Sequence, residues 1–141
     1  MELISLVIVA LISISPVGEE LIAIPAGVVM GLPVYIVTAV ALAANFLPVP
    51  FIFFVFDQGN KYPKIQSWLR KRRNNNVKKW MEKYGVLGLL IFTPWMGVYA
   101  TAITCELMGM QRFRVCAAVA ASLTFYAVIA AFLITLGINL R

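Results

Sequence analysis

The chain contains no histidine, only two cysteines, and six acids against twelve bases in 141 residues. The lack of histidine excludes histidine-ligated metal centres and every triad that relies on an imidazole base. Cys105 and Cys116 lie in apolar surroundings and fit neither a metal-binding spacing nor a disulfide framework. No P-loop, nucleophile elbow or pair of catalytic acids beside a wet cleft is present, so no enzymatic activity, metal or cofactor is expected. Charge of either sign is missing over long stretches: Leu21–Phe56, Tyr84–Cys105 and Val115–Leu140 carry none. Each is at least as long as the roughly 20 residues that cross a bilayer as a helix. Strict alternation of apolar and polar residues is missing too, which argues against a membrane barrel. At 62% hydrophobic and 13% charged residues, the composition is far from that of soluble domains. An all-α integral membrane protein is the expectation.

The charge that is present is concentrated. Lys61, Lys64, Arg70, Lys71, Arg72, Arg73, Lys78, Lys79 and Lys83 supply nine of the twelve bases, against Asp57 and Glu82. Between apolar runs such a segment reads as a cytoplasmic connector under the positive-inside rule, not as a nucleic-acid-binding arm. The N-terminal run MELISLVIVALISISP opens on Glu2 rather than a base and shows no A-x-A cleavage pattern, so it reads as a structural arm and not a removable leader.

A shift of 78 positions lays one half of the chain over the other. LISISP, ending at Pro16, falls on LLIFTP, ending at Pro94, and VVMGL at Gly31 falls on ELMGM at Gly109. Val37, Ala39, Ala43, Phe54 and Gly59 fall on Val115, Ala117, Ala121, Phe132 and Gly137. Shared proline and glycine carry the most weight, because they fix where the backbone breaks. The organisation expected is one membrane domain of two repeats: residues 1–57, with a hairpin over about 3–31 and a spanning helix over about 34–57; a basic connector, 58–83; and residues 84–141, with a hairpin over about 84–109 and a spanning helix over about 114–137. The first hairpin's arms, of roughly 10–12 residues, reach only ~15–18 Å. That is too short for a hydrocarbon core of about 30 Å, so the hairpins read as re-entrant. One re-entrant hairpin plus one spanning helix moves the chain to the opposite face, so the second repeat must be inverted. The loop after the second hairpin carries Arg112 and Arg114 and its counterpart, GLPVYIV, carries no charge, as an inverted pair requires. Both termini are then external to the cell membrane. A rival of four full spans leaves those two arginines opposite the basic connector.

In the connector, Ile65, Trp68 and Leu69 share one helical face, as do Val77, Trp80, Met81 and Tyr84, with Asn74–Asn76 between them. Two amphipathic helices would set Trp68 and Trp80 at the lipid interface and Arg70, Arg72 and Arg73 among phosphates. That arrangement anchors topology and also suits recruitment of an anionic lipid.

Few polar residues remain for function. Glu19 and Glu20, in SPVGEE, sit side by side between two apolar runs; inside a membrane at least one is expected to hold its proton and serve proton or cation coupling. The alternative is a solvated loop. Glu106 either faces a polar cavity or pairs with Arg112 or Arg114. Asn45 precedes Pro48 and Pro50, each of which removes a backbone donor, and so marks either a transport site or a packing contact. Asp57 reads as a helix end at the interface.

The stretches PVGEELIAIPAGVVMGLP, ANFLPVPF and YGVLGLLIFTPWMGVY resemble the small multidrug export protein family, itself distantly related to the DedA superfamily. The resemblance covers most of the chain, and ANFLPVPF is its most specific part. It implies paired re-entrant hairpins, with Glu19 at the family's acid position, Pro25 at its Ile-Pro and Asn45 as its amide. Leu21 stands where the family often has an arginine, and Pro94–Tyr99 departs from the family's Pro-x-Pro-Gly-Thr-Gly break. The expectation is a proton- or ion-coupled transporter, likened to DedA proteins, for a lipid-phosphate (anionic or isoprenoid-phosphate) or small amphipathic substrate. It would work as a homo-oligomer in the lipid bilayer, without nucleic acid. Alternatives are an efflux pump resembling the four-span small multidrug resistance exporters, or a non-transporting membrane scaffold.

Overall fold

The computed structural model describes residues 2–16, 19–64, 67, 71 and 75–139, all in helices or the turns between them, with no strand among them. Helix α1, Glu2–Ile14, runs without glycine or proline until Pro16. The amide of Ser15 closes it on the carbonyls of Leu11 and Ile12, and Pro16, which has no N–H, prevents continuation. Helix α2, Glu19–Val29, takes both glutamates into its first turn. Carboxylates are favoured there by the partial positive charge of exposed amides. The helix carries Pro25 in its interior.

The end of α2 is set by Gly31. At φ 83° it adopts the left-handed conformation that only glycine takes freely. Its amide donates to the carbonyl of Val28 at 3.0 Å and that of Leu32 to Gly27 at 3.1 Å, which satisfies the last carbonyls of the helix. Pro33 then starts α3, Val34–Phe46. Helix α4, Pro48–Gly59, follows after Leu47 alone. Pro48 and Pro50 interrupt the hydrogen-bond ladder here, yet Leu47 keeps helical angles, φ −51° and ψ −39°. The interruption is one of donors and not of direction, and 34–59 reads as one apolar helix of 26 residues.

Helix α5, Asn75–Met96, joins the end of the basic connector to the first arm of the second hairpin. Gly85, at φ 41° and ψ −129°, breaks it sharply, which places the expected boundary near residue 84 inside one kinked element. Gly97, at φ 81°, separates it from α6, Val98–Leu107. Helix α7, Arg112–Asn139, is the longest at 28 residues.

The chain divides into two compact units, Met1–Leu47 with Leu123–Arg141, and Pro48–Ser122. In the first, α1, α2 and α3 pack on one another around Val9, Ala23, Ile24, Leu32, Val37 and Ala41, joined by Ala127 from the second half of α7. Gly27 makes this closeness possible. A Cβ there would lie 2.6 Å from Val37 Cγ1 and 2.8 Å from Val9 Cγ2. In the second unit, α6 packs on α4 and α5. Pro94 removes the donor that the carbonyl of Leu90 needs. The buried Ser122 supplies it, its Oγ donating to that carbonyl at 2.9 Å.

Local backbone features recur at the spacing of 78. Gly109, at φ 70°, matches Gly31, and the bonds Gly109→Glu106 and Met110→Cys105 match Gly31→Val28 and Leu32→Gly27. Val115→Gln111 matches Val37→Pro33, and α7 starts at Arg112 where α3 starts at Val34. Each unit accordingly holds one hairpin, the first part of the helix after it, and the last part of the other long helix.

Two helices, Val34–Gly59 and Arg112–Gly137, are long and apolar enough to cross a membrane, and only 39% and 28% of their most apolar windows are buried. A core helix of a soluble protein would bury most of that surface. Here Phe51, Phe54 and Val55 on α4, and Phe125, Val128, Phe132 and Leu133 on α7, stay exposed, as does the Leu3, Val7 and Leu11 stripe of α1. Apolar surface of this extent suits lipid rather than water.

Candidate functional site

Among the described residues three polar side chains are buried in the first unit: Ser13 near the end of α1, Glu20 in the first turn of α2, and Asn45 near the end of α3. Their exposures are 0%, 3% and 1%. The contact of Gly27 with Val9 and Val37 fixes a common level on the three helices. Ser13 lies four residues past Val9, Glu20 seven before Gly27, and Asn45 eight past Val37. Because α2 runs opposite to α1 and α3, all three lie on the same side of that level, by about 6, 10 and 12 Å at a rise of about 1.5 Å per residue. One end of the unit therefore gathers a carboxyl, a hydroxyl and an amide in otherwise apolar packing.

Among the described residues neither Ser13 Oγ nor Asn45 Nδ2 has a hydrogen-bond partner. Buried polar groups left so are uncommon, and each marks either a loss of about 1–3 kcal/mol or a place for something else to bind. Backbone adds to the polarity. With proline at 48 and 50, the carbonyls of Ala44 and Phe46 lose the amides that would follow four residues on. Helix α1 also directs its carbonyl-bearing end here. The side chain of Glu19 lies outside the described residues. Pro25 is exposed and takes no part in the cluster.

A second cluster lies in the second unit. Arg112, the first residue of α7, donates from Nη1 and Nη2 to Asp57 Oδ2 and Oδ1, both at 2.7 Å. It also donates from Nε and Nη2 to Glu106 Oε2 and Oε1, at 3.1 and 2.7 Å. The guanidinium stands 5.2 Å from the centroid of the Phe53 ring. A planar fork with five donors suits two carboxylates at once, and the aromatic face adds to the attraction. Of the alternatives open for Glu106, the geometry has pairing with Arg112; Arg114 is exposed. Asp57 does more than end its helix, contrary to the sequence reading, because α4 and α6 pack together and bring it to residues 49 and 55 positions away. The only sequence hint was that Asp57 is the first charge after 36 uncharged residues.

The expected lipid-interface residues Trp68, Arg70, Arg72 and Arg73 lie outside the described residues, as does the side chain of Trp80 within α5. Ser13 escaped the sequence reading altogether. One of two serines just before the break at Pro16, it was distinguished by nothing local.

Residues 19–129 match the family described as "Putative small multi-drug export protein". The chain belongs to this family. The match begins at Glu19 and takes in Glu20, Asn45, Asp57, Glu106 and Arg112. No curated protein and no solved structure matches the chain. Family membership and two bilayer-length apolar helices together mark a membrane protein.

Proposed function

We propose that this protein is an ion-coupled membrane exporter of small amphipathic compounds, with Glu20 as its coupling group and Ser13 and Asn45 beside it. The observation that carries the reading is the burial of Glu20, 3% exposed, in a helix arm too short to span. A carboxyl inside a membrane protein is costly to keep and is typical of groups that bind and release a proton or a cation during transport. Broken helices whose ends face such a group are the usual frame for a transport site.

The topology proposed is the inverted pair of re-entrant hairpins. Arms of 13 and 11 residues in α1 and α2 reach only ~20 and ~17 Å. Pairing of Arg112 with Asp57 supports the orientation of the second hairpin, because it holds the loop after that hairpin beside the end of the 34–59 helix, next to the basic connector. The loop at Gly31 stands at the other end of that helix.

The cargo class follows the family's description and not the lipid phosphates that the DedA resemblance implied. Arg112 is already engaged by two carboxylates and so offers a phosphate no free fork. Everted membrane vesicles containing the protein should accumulate a cationic amphipathic dye when energised, and vesicles without it should not. Equal dye uptake in both would refute export and leave a scaffold role.

A further inference from the structure

We infer that the buried end of the first unit is a binding site for a dehydrated alkali-metal cation, ligated by the Glu20 carboxylate, the Ser13 hydroxyl, the Asn45 amide oxygen and the carbonyl of Ala44. This rests on the exporter reading for its purpose but not for its chemistry. Proton coupling requires a carboxyl alone. It leaves unexplained why a hydroxyl and an amide are buried at the same end without hydrogen-bond partners.

A cation explains both. Serine Oγ is a ligand through its lone pairs, and the amide of Asn45 presents either oxygen or nitrogen with a half-turn, since nothing described holds it in one orientation. The carbonyl of Ala44, itself in a residue only 5% exposed, lacks its helical donor because residue 48 is proline. The carbonyl-bearing end of α1 lies at the same end of the unit. Unbonded carbonyls and helix C-terminal ends are the ligands that membrane transporters offer to coupling cations.

The chemistry selects the class of ion. All donors are oxygen and the unit contains no histidine or cysteine, so transition metals are disfavoured. Divalent ions are usually held by several carboxylates, and among the described side chains of this unit Glu20 is the one buried carboxylate. One carboxylate with neutral oxygens matches a single positive charge. The unit as a whole carries Glu2, Glu19 and Glu20 against one base, Arg141, so its charge attracts cations.

The test is equilibrium binding of radiosodium to the purified full-length protein in detergent, with a thermal-unfolding series in sodium, potassium and choline chloride at fixed ionic strength. Wild type should bind sodium saturably and melt at a higher temperature in sodium than in choline, since a ligand of the folded state raises stability by mass action. Glu20→Gln should abolish binding. Ser13→Ala and Asn45→Ala should each weaken it at least tenfold while folding as well as wild type in choline. Absence of both saturable binding and a sodium-specific melting shift in wild type overturns the site, and that result needs no variant. Undiminished binding in Ser13→Ala and Asn45→Ala overturns it equally. Dye export that depends on Glu20 but proceeds without sodium binding would remove the cation site and leave the exporter standing. Sodium binding without export would do the reverse.

Discussion

Gly27 sets how closely α1, α2 and α3 approach, and with it the level from which Ser13, Glu20 and Asn45 are placed. A methyl at this position would meet two valine side chains at 2.6–2.8 Å. Both are β-branched and buried, so neither can rotate away freely. Gly27→Ala should therefore destabilise the protein by about 1–3 kcal/mol, and Val37→Ala in the same chain should recover part of the loss, as thermal melts in detergent would show. Arg112 makes a second residue-scale case. Lysine retains its charge but cannot form two pairs of parallel hydrogen bonds. Arg112→Lys should lower the melting temperature nearly as much as Arg112→Ala. Glu106→Gln should lower it more than Asp57→Asn, because the Glu106 side chain is 13% exposed and that of Asp57 54%, where water and salt screen the pair. At this scale the sequence revealed which residues are unusual but not what they touch. Glu20, Asn45 and Glu106 stood out because charge and amides are rare in apolar runs. Asp57 and Ser13 did not, since their significance comes from helices that meet only in the folded chain.

The helices themselves were more legible, because proline and glycine act on the backbone locally. Pro16, Gly31 and Gly109 stand where elements end, whereas Pro94, laid over Pro16 by the shift of 78, lies inside α5, which runs on to Gly97; the spacing of 78 reappears in the hydrogen bonds around Gly31 and Gly109. Pro48 and Pro50 were less decisive than expected, since α3 and α4 continue in one direction through Leu47. What remained illegible is compensation across elements. Pro94 leaves the carbonyl of Leu90 without a donor, and Ser122, on a helix that starts only at Arg112, well after α5 ends at Met96, supplies one. Ser122→Ala should cost about 1–3 kcal/mol in the wild-type chain. With alanine in place of Pro94, residue 94 recovers an amide that can reach Leu90, so Ser122→Ala should then cost much less. A double-mutant cycle measures that difference as a coupling energy, and additive losses would show that the two residues act separately.

For the whole molecule, the extensive exposed apolar surface and the two long helices suit a bilayer, and the proposed inverted arrangement of the hairpins would determine which loops face which side. In a chain with Cys105 and Cys116 replaced by alanine, a membrane-impermeant thiol reagent should label Met30→Cys only from outside the cell and Gln111→Cys only from inside. Both residues lie next to the glycine turns that end the hairpins, and neither is buried. Labelling of both from one face would contradict the inverted arrangement. Export itself rests on Glu20, and the most direct test is gradient-driven dye flux in proteoliposomes containing wild type or Glu20→Gln, each confirmed to be folded and equally reconstituted. The account predicts that wild type moves dye when a proton or sodium gradient is imposed and that Glu20→Gln loses this gradient-dependent flux. Undiminished gradient-driven flux in Glu20→Gln, and again in Glu19→Gln with Glu20→Gln, would contradict it.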